Sequence, residues 1–278
     1  MGFLVKWVRH FTKRTDKREL VLLLIALTLT GYAIYSFFDA KIAVLNIQGA
    51  IFSQELVPIL NALEDLEKRT DVKAVVLRIN SPGGSAPEIH EVYLKILKLR
   101  SIKPVVTSID NTAASGAYYL SVATDYIFAK QSSDVGGIGV VVEIPEELEK
   151  SSIITSGPFK QAVDEEEIFR SLELLKQDFL KIVEAHRGDK LKATTDELLT
   201  ARLFIGYDAL DKGLIDEIGG LDDAVGKAKE MSGLLYARTI YVYPTETGFP
   251  LYVSYEKFRS NSTTTPAFYL LYVKGGEE

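Results

Sequence analysis

Ser115 stands alone among small residues in N-T-A-A-S-G-A-Y-Y-L, Asn111 to Leu120. A serine that opens a helix lies in the field of the helix N-terminus, and the following N–H, here that of Gly116, points where an oxyanion would develop. The same pattern also suits a capping serine whose small neighbours let two backbones approach. Upstream, N-S-P-G-G carries Gly83 and Gly84, which let the chain turn sharply and leave an N–H uncovered, as an oxyanion hole requires, or which make a simple turn. A nucleophile needs a base. His10 lies in a basic N-terminal arm, and His90 and His186 fall within predicted helices, where they read as structural or surface residues rather than as part of a Ser-His-Asp triad. A lysine base has an ordinary pKa of about 10.4, and being largely neutral near pH 7 costs it about 4 kcal/mol, so it needs a desolvated position. Lys160 comes closest: Ile153, Ile154, Pro158 and Phe159 precede it, and the nearest acid is Asp164. A solvated lysine at a strand end is the competing reading.

The rest of the composition narrows the function. The 278 residues, 47% hydrophobic and 25% charged, suit one sizeable domain with appendages. With no cysteine, disulfides, thiolate zinc sites and a cysteine nucleophile are excluded. The net charge is −6, but residues 1–19 hold six cations against Asp16 and Glu19, a balance of +4 that leaves −10 for the remainder. An acidic body argues against a nucleic-acid partner. No metal or other cofactor is implied, and Glu165 to Glu167 read as acids in the first turn of a helix rather than as metal ligands.

Residues 20–38 carry no charge and approach the ~20 residues that cross a bilayer as a helix. The stretch is long for a cleaved signal peptide and ends in Tyr32, Tyr35, Phe37 and Phe38, so it reads as a retained anchor. The positive-inside rule then puts residues 1–19 in the cytoplasm as a basic arm and everything after Asp39 outside, a single-pass protein of the cell membrane.

Beyond the anchor, short apolar strands alternate with amphipathic helices. Strands are expected at Ile42–Ile47, Ala74–Ile79, from Val105 to an end at Asp110, at Tyr126–Ala129 and at Ser152–Thr155. Helices are expected at about 54–69, 87–99, from Ser115, 164–187, 208–212 and 222–230. This alternation predicts an α/β domain with a parallel sheet of βαβ units, whose site lies at the carboxyl ends of the strands. Domain limits of 41–233 follow, with a tyrosine-rich extension over 234–278 that could add edge strands, pack on a neighbouring subunit or rest near the membrane; it also holds an N-S-T glycosylation motif at Asn261.

Taken together, R-I-N-S-P-G-G-S (Arg78 to Ser85), D-N-T-A-A-S-G-A-Y-Y (Asp110 to Tyr119), S-G-P-F-K (Ser156 to Lys160) and G-L-I-D-E-I-G-G-L (Gly213 to Leu221) resemble the signal peptide peptidase A family of membrane-anchored serine peptidases, from about Ile42 to Lys229. The resemblance implies a Clp-protease/crotonase fold and a Ser-Lys dyad, with Ser115 as nucleophile and Lys160 as general base. It implies oxyanion donors at Gly84, or alternatively Gly83, together with Gly116. It further implies a homo-oligomer, ring- or dome-shaped, acting on peptide substrates such as cleaved signal peptides. A related membrane peptidase that cuts stomatin tails is the nearest alternative, and a crotonase-like scaffold that binds peptides with weak catalysis is another. One departure stands out: the family's T-G-S-[IL]-G is V-G-G-I-G here, so Gly137 replaces a serine that holds the lysine amine. Ser133, Thr155 and Ser156 are the nearest hydroxyls that could substitute.

Overall fold

The computed structural model describes residues 17–141, 165–245 and 251–254. Helix α1 (Lys17–Phe38) precedes β1 (Lys41–Gln48), with only Asp39 and Ala40 between them. Among the described residues no helix is long and apolar enough to cross a membrane. The expected strand Ser152–Thr155 lies outside the described residues.

Three units of helix and strand follow the expected order: α2 (Ser53–Lys68), β2 (Val72–Ser81), α3 (Ala86–Arg100), β3 (Val105–Ala114), α4 (Gly116–Val122) and β4 (Tyr126–Ala129). β1, β2, β3 and β4 are parallel, with Ala43 opposite Val75, Val75 opposite Val105 and Val106 opposite Tyr126. Alternation along each strand fills both faces. Ala43, Leu45, Val75, Leu77 and Val105 pack under α2 and α3, whereas Ile42, Val44, Ala74, Val76 and Phe128 meet Ala224 and Ala228 of α8 (Leu221–Met231). A sheet covered on both faces explains its near-continuous apolar strands.

β3 runs past its expected end at Asp110. There it leaves β4 and pairs with β5 (Asp134–Gly136), Thr112 opposite Asp134 and Ala114 opposite Gly136. β5 pairs antiparallel with β6 (Leu203–Ile205), and β4 pairs with β7 (Glu217–Ile218). Asp110 fixes the change of partner: its carboxylate takes Arg78 Nε at 2.6 Å and Lys130 Nζ at 2.9 Å, and its carbonyl accepts from Ser133 Oγ at 2.9 Å.

On the other side of β1 lie β8 (Arg238–Tyr243), parallel to it, and β9 (Leu251–Ser254), antiparallel to β8. Part of the tyrosine-rich stretch thus joins the sheet, with β8 between two strands and β9 at the margin. The long helix α5 (Glu165–Arg187) packs its C-terminal half through Phe179, Leu180 and Val183. Its last residue is tied down by the Arg187–Asp216 ion pair, both side chains 4% exposed. The short helices α6 (Thr195–Leu198) and α7 (Gly206–Asp211) complete the described residues.

Candidate active site

Ser115 sits on the corner between β3 and α4, where the backbone has φ 50° and ψ −122°. A residue with a Cβ pays of order 1–3 kcal/mol for such a conformation, and it persists only where surrounding bonds over-determine it. Here they do. The Ser115 amide donates to Gly136 of β5 at 2.8 Å, and its carbonyl accepts from Tyr118 at 2.9 Å and Tyr119 at 3.0 Å. The sharp turn leaves the half-buried side chain facing a cleft of about 1090 Å³.

The loop after β2 forms the facing wall. Gly83 has φ 111°, and a Cβ on it would lie 2.9 Å from the Gly116 nitrogen and 3.2 Å from the Ser115 Cβ. Gly84 forms a one-residue parallel bridge with Ile51: the Ile51 amide donates to Gly83 O at 2.8 Å, and the Ser85 amide donates to Ile51 O at 3.0 Å. In that pairing the N–H of Gly84 points away from Ile51. The Gly83 N–H is already engaged, donating to Ser81 Oγ at 3.1 Å. Those of Gly84 and Gly116 donate to no acceptor among the described residues. Gly116 also needs its lack of a side chain, since a Cβ would meet Ile89 Cγ1 at 2.6 Å.

The cleft is largely apolar, with Phe52, Ile89, Val141, Leu175 and Phe179 in its walls. Tyr119, one turn beyond Ser115, stacks edge-on against Phe179 and bonds His90 Nδ1 through its hydroxyl at 3.0 Å. Burial and the charge of Asp178 push the Tyr119 hydroxyl up, so it stays protonated. His90, read from sequence as structural or surface, lies on the cleft wall. Its position six residues after Gly84 on the next helix was the available signal. His186 matches the structural reading, with Nε2 2.8 Å from the Tyr93 hydroxyl.

Lys160, Thr155 and Ser156 lie outside the described residues. Gly137 adjoins the nucleophile: it has φ 69°, and a Cβ there would lie 3.3 Å from the Ser115 nitrogen and 3.2 Å from Leu203 Cδ2. Ser133 is unsuited to hold a lysine. It is 1% exposed, donates to Asp110 O and accepts from the Lys130 amide at 3.1 Å, so its hydroxyl serves the turn before β5. No group of metal-ligating side chains occurs among the described residues.

A mixed α/β sheet that carries a strained serine at a strand-to-helix corner, beside two amides with no acceptor among the described residues, has the build of a serine hydrolase. Residues 98–235 match the model of peptidase family S49, a span that includes Ser115. Protease 4 of Haemophilus influenzae is 33% identical over 69% of this chain and 35% of its own length. A candidate signal peptide peptidase SppA of Enterococcus faecium is 30% identical over 76% of this chain and 69% of its own. The chain spans 61% of a further relative, a protease-named protein of Methanocaldococcus jannaschii that is 33% identical. Among solved structures, two variants of the membrane-bound stomatin-specific protease 1510-N share the fold, with TM-scores of 0.53 and 0.51 at 16% identity. They cover 74% and 80% of this chain and 99% and 97% of their own, and one holds a substrate peptide. The chain belongs to peptidase family S49, the family of the signal peptide peptidase SppA.

Proposed function

We propose that this protein is a membrane-anchored serine endopeptidase of Clp-protease/crotonase type that degrades cleaved signal peptides or other short hydrophobic polypeptides outside the cytoplasm. The observation that carries the reading is the strained Ser115 facing an apolar cleft beside the amides of Gly84 and Gly116, which have no acceptor among the described residues. In this mechanism neutral Lys160 takes the Ser115 proton and Oγ attacks the peptide carbonyl. The oxyanion accepts from the N–H groups of Gly84 and Gly116, and protonated Lys160 gives its proton to the leaving amine. Lys160, neutral again, draws a proton from water as the water releases the acyl group. Because the Gly83 amide is engaged, Gly84 is the better donor.

The anchor is α1. The reading rests on its nineteen uncharged residues, 20–38, near the ~20 that cross a bilayer as a helix. Leu22, Leu27 and Leu29 are 64%, 61% and 63% exposed, a load of bare leucine suited to lipid. Self-association would cover Phe169 and Leu174 of α5 and Leu203 and Ile205 of the edge strand β6, all exposed. The signal peptide reading is preferred to the stomatin-tail one because relatives at 30–33% identity include SppA, while the stomatin-specific protease shares the fold at 16%.

A fluorophosphonate probe tests the dyad. The full-length protein is expected to label, and Ser115→Ala and Lys160→Ala are expected to lose the label while keeping the wild-type melting transition. A protein that never labels, or a Ser115→Ala variant that still does, overturns the assignment.

A further inference from the structure

β1 joins two ends of the molecule. It starts at Lys41, three residues after α1, and the chain reaches the cleft at Ala50, so at ~3.3 Å per residue the cleft stands about 30 Å from the anchor's junction. The junction has little slack: Ala40 is 1% exposed, its carbonyl accepts from Arg238 at 2.9 Å, and Lys41 bridges Asp39 and Asp71. The α3–β3 and α8–β8 turns lie at this same end of the sheet, because Val75 pairs with Val105 and Lys41 with Arg238.

Those two turns expose large apolar side chains at their tips. Ile102 is 54% exposed, Leu235 85% and Tyr236 48%. Around them Lys73, Lys229 and Arg238 have no acidic partner among the described residues, whereas Lys41 and Lys68 are paired. Apolar and tyrosine tips ringed by unpaired cations, beside an anchor, match the chemistry of a membrane interface with anionic headgroups.

We infer that this end of the domain rests on a bilayer surface carrying anionic lipids, with Ile102, Leu235 and Tyr236 in the interface. The inference rests on the reading of α1 as an anchor. It holds the cleft about 30 Å off the membrane, so the peptidase reaches chains that have left the bilayer and not bonds at its surface.

The protein has no cysteine, which permits single-site labelling of the full chain. Ile102→Cys, Leu235→Cys, Leu27→Cys and Val57→Cys, each carrying an environment-sensitive fluorophore, are reconstituted in vesicles of phosphatidylcholine and phosphatidylglycerol with and without nitroxide-bearing lipid. Leu27 reports the anchor and Val57, exposed near the start of α2, reports the cleft end. Probes at 102 and 235 are expected to lose roughly half their emission to the nitroxide, as shallow interfacial insertion predicts, and the probe at 57 almost none. Quenching at 27 with none at 102 and 235 overturns the surface and leaves the anchor standing. No quenching at 27 overturns the anchor, and the surface with it. Probes at 102 and 235 that are shielded but insensitive to nitroxide lipid indicate a second protein copy there, which also overturns it.

Discussion

A side chain on Gly83 would put its Cβ 2.9 Å from the amide nitrogen of Gly116, so the loop after β2 and the first turn of α4 touch backbone to backbone. That contact seats one proposed oxyanion donor, Gly116, against the residue next to the other, Gly84. Their spacing is set by packing from behind, where Ile89 fills the room that a side chain on residue 116 would need.

Gly116→Ala is therefore expected to cost about 1–3 kcal/mol of stability through overpacking. Displacing one donor should lower kcat by about 100-fold with a smaller effect on KM. The nearest atoms that a methyl group meets all belong to the Ile89 side chain, which is branched at Cβ and cannot swing aside, so adding Ile89→Ala should restore much of the lost kcat. Thermal melts and steady-state kinetics of the two single variants and the double variant measure this coupling. Additive losses would show that Ile89 is not the obstacle.

Ser115→Gly separates chemistry from strain. Turnover should vanish, yet a glycine occupies φ 50° freely, and relief of about 1 kcal/mol should raise the melting temperature by about 2–4 °C. Ser115→Ala keeps the Cβ and the strain, so it should be equally inactive without that gain. Calorimetry of the three proteins checks the order.

Gly137→Ala places a methyl group at φ 69° against Leu203 and the Ser115 amide and should destabilise the protein by about 1–2 kcal/mol. Gly137→Ser bears the same backbone cost but supplies the hydroxyl that the family resemblance implies at this position. If that hydroxyl orients Lys160, the serine variant should exceed the alanine variant in kcat/KM by about tenfold, the worth of one modest hydrogen bond. Equal rates would mean that another group already holds the amine.

Asp216 contributes to the pH dependence of stability in acid. Burial pushes its carboxyl up, but hydrogen bonds and charge from Arg187, then Lys190 and the Ile127 amide, outweigh this and hold it below the ordinary carboxylate range. A depressed folded pKa gives stability that is complete above the unfolded value of about 3.9 and drains away as pH falls through the folded one. Asp216→Asn should cost about 3 kcal/mol near pH 7 by leaving Arg187 buried without its counter-charge. Denaturant unfolding at successive pH values should show the gap from wild type closing below about pH 4.

The sequence was most legible where periodicity is long. Apolar runs such as A-V-V-L-R-I and the stripe from Ile168 to Val183 placed β2 and α5 within a few residues, because burial on two faces or along one stripe leaves a strong pattern. β5, β6 and β7 have two or three residues each, too few for any period, and were missed. Their absence from the reading also hid the far half of β3. Asp110-Asn-Thr looks like the polar end of a strand until β5 supplies a new partner.

The same limit applies at the site. Ser115, Gly84 and Gly116 were legible as candidates, because a lone serine and glycines at strand ends suit an oxyanion site as well as a cap or a turn. His90 was not, since a helix pattern says which face is polar and not that this face borders a cleft. The hydroxyl of Ser133 is consumed by contacts from Asp110 and Lys130, which no local pattern announces. Gly137 was seen as a missing side chain; its positive φ, visible only in three dimensions, adds a backbone reason for glycine there.

The bridge between Ile51 and Gly84 gives the wall opposite Ser115 a thermodynamic character of its own. Two hydrogen bonds at one residue join the glycine loop to the segment after β1, whereas β1 and β2 beneath it are laddered over eight positions. Opening that bridge breaks two hydrogen bonds and uncovers one buried side chain, Ile51, so it should occur more often than global unfolding, with the Ile51 and Ser85 amides exchanging with solvent deuterons before those of Val44 and Val76. The wall proposed to accept an incoming chain is then easier to open than the sheet beneath it, and occupation of the cleft by a peptide should be read as slowed exchange at those two amides.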